Sequence, residues 1–148
     1  MTDLQFTVAV PVGILVFGEL IMLFFWMLGW RMLSQISAPV RFDGAIARGI
    51  SGDIGGVTYG SLLTVSVSPD GIVCRMPVLL SLWHKPFFVS WNDLTNSRFG
   101  NWWSMPVMTL EFRIRKTRVR FRIPEWHREA VAAAKLAIAS KAVQVAAH

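Results

Sequence analysis

From Val8 to Trp30 the chain reads VAVPVGILVFGELIMLFFWMLGW, and Glu19 is the only ionisable side chain in that run. A helix rises about 1.5 Å per residue, so more than twenty apolar residues match a hydrocarbon core of roughly 30 Å. Backbone polar groups in lipid must be satisfied within the segment, which makes the expected form a membrane-spanning α-helix. A buried core helix of this length needs a larger domain around it than about a hundred further residues supply. A cleaved signal peptide fits poorly, because no Lys or Arg precedes the run and Gly29-Trp30-Arg31 is not a small-x-small site. The sequence therefore predicts a retained single-pass anchor within residues 1–38.

The flanks predict its orientation. Asp3 is the only charged side chain before the run, whereas Arg31, Arg41 and Arg48 follow it. The positive-inside rule then puts the amino terminus outside and the rest of the chain on the cytoplasmic side of a bacterial inner membrane. Trp26 and Trp30 are expected at the headgroup level, with Arg31 snorkelling beyond them. Glu19 falls mid-span, where a carboxylate costs several kcal/mol unless neutralised or paired, and is assigned to contact with another transmembrane helix. Its competing reading is a neutral Glu bonded to its own backbone.

Beyond the anchor, Ala38 is biased out of the helical region by Pro39, which ends the helix there. Residues 39–60 read as a Gly-rich connector with a first strand region. Arg48 to Gly60 contains five glycines but neither a GxGxxG nor a GxxxxGK[ST] pattern, so it reads as a flexible loop instead of a phosphate loop. Residues 61–148 form the main domain. Leu63, Val65 and Val67 alternate with Thr64, Ser66 and Ser68, Pro69-Asp70-Gly71 turns the chain, and Ile72, Cys74 and Met76 resume the alternation. Phe87 to Trp91 is a further strand, and Trp83 and Trp91 are read as structural. Met108, Leu110, Phe112 and Ile114 alternate with polar residues, as do Val119, Phe121 and Ile123 after a turn at Lys116-Thr117. From Trp126 to Val145 an Ala-rich segment reads as a helix opened by Pro124, with Val131, Ile138, Ala142 and Val145 on its apolar stripe. The fold class expected is α+β: one amino-terminal transmembrane helix, then a small antiparallel sheet or partial barrel with a carboxyl-terminal helix.

The SVSPDGI turn at Ser66 to Ile72, the HKPFFVSWNDL segment at His84 to Leu94, the basic hairpin and the terminal helix carry a resemblance over roughly residues 60–140. With them the chain resembles the pleckstrin-homology-like domains of small bacterial single-pass membrane proteins. The resemblance implies a scaffold that binds lipid or protein, and it brings no catalytic residues.

Six of the fifteen Lys and Arg residues fall between Arg113 and Arg122, namely Arg113, Arg115, Lys116, Arg118, Arg120 and Arg122. They form a candidate surface for an anionic bilayer or a partner, each charge near such a bilayer contributing about 1 kcal/mol. A solvated, solubilising strand face or a device that blocks edge pairing is the competing explanation. Trp102 and Trp103 lie between Gly100 and Pro106 and are candidates for an interface or for core packing. With a net charge of +6 nucleic acid is attracted too, but no recognition motif supports it.

Three histidines, one cysteine and scattered aspartates show no metal-ligand spacing and no nucleophile motif. The sequence thus predicts no enzyme and no cofactor. It predicts an accessory or assembly subunit whose partners are integral membrane protein subunits, engaged through the helix around Glu19 and through the cytoplasmic domain. The alternative is an autonomous module binding anionic lipid headgroups, and a homo-oligomer stays open.

Overall fold

The structure, a computed structural model, describes residues 3–36, 41–81 and 84–147. Seven antiparallel strands form one strongly curved sheet: β1 (Ala45–Ile54), β2 (Val57–Val67), β3 (Gly71–Arg75), β4 (Phe87–Ser90), β5 (Leu94–Trp102), β6 (Met105–Ile114) and β7 (Thr117–Pro124). Their order is β4-β3-β2-β1-β7-β6-β5, a half-barrel in which β1 pairs with β2 on one side and β7 on the other. With the carboxyl-terminal helix α3 (Arg128–Ala146) this makes an α+β fold.

The two-residue period sets the inner face. Leu63, Val65, Ile72, Cys74, Phe87, Val89, Leu110, Phe112, Val119, Phe121 and Ile123 are each fully buried. Full burial of such side chains stabilises by about 1.5–3 kcal/mol apiece, which fixes the register, because a one-residue slip would turn each strand's apolar set to water. Helix α3 packs on β1 and β2 through Ala130, Val131, Ala134 and Ala137, small residues that let it approach closely. It starts at Arg128, four residues beyond Pro124, which ends β7, and Val145 on the anticipated stripe is exposed.

Arg48 to Gly60, anticipated as a flexible loop, is strand on both sides of a two-residue turn. Gly55 and Gly56 have φ of 60° and 88° there, the conformation a tight hairpin requires and glycine adopts without strain.

The amino-terminal segment departs most from the sequence reading. Helix α1 (Asp3–Phe25) is joined through Trp26–Trp30 to α2 (Arg31–Ile36), and the chain kinks between them where the backbone leaves helical geometry at Gly29. Gly29 meets the β1–β2 turn: a Cβ there would lie 2.9 Å from the Gly55 Cα. Trp30 and Leu33 then enter the domain core at 0% and 2% exposure. The apolar run is therefore not one straight rod from Val8 to Trp30, since its last turn belongs to the β domain.

The single-pass membrane assignment is corrected accordingly. Among the described residues no helix is long and apolar enough to cross a membrane. The inner-membrane placement and the sidedness, which rested on that span, lose their support with it. The side chain of Trp26, the helix end before Pro39 and the role of Trp83 lie outside the described residues.

Candidate functional site

Three surfaces carry the residues singled out above. The first is the outer face of β1, β7 and β6. Register places Asp53 opposite Thr58 on β2 and opposite Arg120 on β7, while Arg120 and Arg122 face Glu111 and Thr109 on β6. One carboxylate gathers the group. Arg122 donates to Asp53 from Nη2 at 2.6 Å and from Nη1 at 3.3 Å, Arg120 Nη1 lies 3.3 Å from it, and Thr58 Oγ1 donates at 2.8 Å. Arg120 Nε also donates to Glu111 at 2.8 Å, and the Arg122 guanidinium lies over the Trp102 ring at 5.0 Å. Burial pushes the Asp53 carboxyl upward, but the bonds from Arg122 and Thr58 and the charges of both arginines outweigh it and hold it below its ordinary value.

The arginine stripe is thereby split. Arg120 and Arg122 are engaged inside the protein, whereas Arg113, Arg115, Lys116 and Arg118 are exposed and make no salt bridge among the described residues. Arg113 and Arg118 are cross-strand neighbours, an arrangement that repels unless an anion intervenes. A cleft of about 480 Å³ opens there, lined by Arg113, Lys116 and Arg118 and, on its β1 side, by Asp53 with Arg120.

The second surface is the elbow that joins α1 to the sheet. Trp30 Nε1 donates to the Lys85 carbonyl at 2.7 Å, and its ring meets those of His84, Phe87 and Tyr59 edge-on at 4.9, 4.9 and 5.6 Å. This burial corrects its assignment as an interfacial tryptophan. His84 is fully buried in the same aromatic cluster. Burial lowers its pKa, while the Leu80 backbone and the Glu19 carboxylate act in the opposite direction. Glu19, assigned to another transmembrane helix, is thus within electrostatic reach of a histidine of its own chain, on the half-buried side of α1 that also carries Met22.

Toward the start of α1 the described side chains, from Val10 to Phe17, are exposed. Ile14, Leu15, Val16 and Phe17 follow one another at about 100° around the axis and are 67%, 70%, 55% and 66% exposed. Those four directions leave no side of this stretch covered.

The third surface is β5 and its turn to β6. Trp102 is half-buried, and Trp103 projects at 87% exposure with φ of 51°, followed by Ser104 at 62°. Both turn residues thus occupy the left-handed region without being glycine, a strained choice. The two indoles meet edge-on at 6.5 Å. Trp102 belongs with Arg122 and the outer face, and only Trp103 is free for contact.

Sequence reasoning missed Asp53, which seemed one of several scattered turn aspartates, and the burial of His84. Ile54-Gly55-Gly56-Val57 held the signal for the first, because a two-glycine turn between apolar residues marks a hairpin and so places Asp53 on a strand. Cys74 is buried and its thiol is pushed well up by desolvation. No group of three or more His, Cys, Asp or Glu among the described residues could hold a metal ion. Compared with protein-family models, curated proteins and solved structures, the chain matches none.

Proposed function

We propose that this protein is a non-catalytic accessory subunit whose β domain is fastened by α1 to the apolar helices of a larger assembly. The carrying observation is the exposure of Ile14, Leu15, Val16 and Phe17 on successive faces of one helix. Each such side chain left in water forgoes about 1.5–3 kcal/mol of burial, a cost that a covering partner removes. The elbow supports the same reading, because Trp30 and Leu33 hold the root of α1 in the domain core and would pass any fixed position of the helix to the sheet. Integral membrane protein subunits are the partner class that presents apolar helix of this kind. The test is purification of the tagged chain from its native source in mild detergent, with a photo-crosslinker at Phe17. A crosslinked partner of helical, apolar sequence is expected, and Ile14→Asp with Leu15→Asp, keeping the crosslinker at position 17, should abolish it. Migration of the full-length chain alone as a monomer overturns the proposal.

A second reading rests on the exposed cations at the β6–β7 turn. Arg113, Arg115, Lys116 and Arg118 suit an anionic lipid headgroup, at about 1 kcal/mol each near a charged bilayer. Binding to vesicles containing phosphatidylserine should weaken steeply with salt and disappear in Arg113→Gln, Lys116→Gln, Arg118→Gln. Binding that ignores salt or survives these changes removes this reading.

A further inference from the structure

A half-barrel has two edges, and this one treats them differently. Strand β4 is four residues long, and α2 packs against it. Strand β5 is nine residues long, stands last in the sheet order, and is exposed from Thr95 to Asn101. It carries no proline, and Arg98 is its only charged side chain, so little of the usual protection against strand addition is present.

The register says which backbone groups are open. Trp102 faces Met105 across the two-residue turn, the position of a hydrogen-bonded pair in such a hairpin. Alternation then directs the amides and carbonyls of Gly100 and Arg98 to β6, and those of Asn101, Phe99 and Ser97 outward. The backbone hydrogen bonds outside the sheet ladders among the described residues include none from these three.

Beside that edge lies a groove of about 300 Å³ between β5 and α3. Phe99, half exposed, Val131 and Ala132 form its floor, and Arg128, Lys135 and Glu125 its rim. Lys135 Nζ sits 4.7 Å from the centre of the Phe99 ring. On the opposite face of the strand Arg98 is exposed and makes no salt bridge among the described residues. An added strand would thus meet an apolar floor on one face and arginine on the other, with a cationic excess on the groove rim.

We propose that β5 is a docking edge for an extended segment of a partner protein, one that alternates apolar and acidic residues. Its backbone pairs with Ser97, Phe99 and Asn101, its apolar side chains enter the β5–α3 groove, and its carboxylates face Arg98. This surface is separate from α1 and does not depend on what covers that helix.

The test uses the full-length chain in mild nonionic detergent. The probe is a capped heptapeptide of alternating valine and glutamate, with a valine and lysine counterpart as control. Saturable binding of the acidic peptide is expected, with slowed amide hydrogen exchange at Ser97, Phe99 and Asn101. Ser97→Pro removes an outward amide and leaves the β6 ladder intact, so affinity should fall about tenfold while the melting temperature holds. Arg98→Glu should shift preference to the lysine peptide, a reversal that a loss of folding would not produce. Unchanged exchange at the three amides, or equal binding by Ser97→Pro, overturns the proposal. Protection of those amides that rises with protein concentration in the absence of peptide also overturns it, because the occupant is then a second copy of this chain.

Discussion

Arg122 clasps Asp53 with both terminal nitrogens of its guanidinium, from sixty-nine residues away in the chain. The pair is partly shielded from water, with side-chain exposures of 12% and 20%, and Arg120 shares the same carboxylate. The face that sequence presented as a continuous cationic stripe is therefore internally neutralised at its β1 side.

Replacing Asp53 by Asn should destabilise the protein by about 1–3 kcal/mol, because three charge-assisted bonds from Arg122 and Arg120 lose their acceptor charge. Since the folded-state pKa of Asp53 lies below its ordinary 3.8, its contribution is present above pH 3.8 and is lost as pH falls through the folded value. Urea denaturation midpoints measured from pH 7 down to pH 2 should fall less steeply at the acid end in Asp53→Asn than in the wild type. Parallel curves would show that this carboxylate contributes nothing to acid sensitivity.

His84 gives a second pH dependence in a different window. Its folded pKa is depressed below 6.5 by burial, so the unfolded chain takes up the proton first. Stability is complete above pH 6.5 and declines as pH drops toward the folded value. His84→Phe, which keeps an aromatic ring among Trp30, Tyr59 and Phe87, should flatten thermal stability between pH 7 and 5.

Trp30 is the pin of the elbow. Trp30→Ala should cost about 3–5 kcal/mol through cavity formation, whereas Trp30→Phe keeps most of the packing and loses the bond to Lys85, about 1 kcal/mol. In both variants amide exchange of α2 should rise more than that of β6 and β7, since Trp30 packs on the β4 side of the core. Uniform loosening would mean that the elbow and the sheet open as one unit.

The β5–β6 turn stores strain. Ser104 has φ of 62° and no side-chain hydrogen bond in the described contacts, so Ser104→Gly should raise stability by about 1 kcal/mol. Chemical denaturation measures this directly, and a neutral result would show that the left-handed conformation is relaxed in solution.

Strand alternation was the legible part of this chain. Met108, Leu110, Phe112, Val119, Phe121 and Ile123 all face inward, because a half-buried sheet imposes a two-residue period that composition cannot disguise. The turn between them was misplaced by one residue and lies at Arg115-Lys116. The first hairpin was hidden because its glycines suggested a loop, although Gly55 and Gly56 serve a turn and Gly52 faces a close neighbour strand. Asp53 could be recognised as a counter-ion only once β1 was known to lie beside β7, a pairing that no local pattern encodes. The apolar run misled for a related reason. Hydropathy registers Trp30 as grease in any setting, while a break at Gly29 decides that it belongs to the domain.

The central position of β1 has a consequence for biosynthesis. Gly52 waits for Phe121, about 70 residues later, before its second neighbour exists, and at roughly 5–20 residues per second that interval lasts several seconds. Throughout it the ribosome carries a nascent sheet with an open flank behind an oily helix that has already emerged. Chaperone demand should accordingly peak during translation of the segment between β2 and β7, and codons that slow this stretch should lower the yield of folded protein.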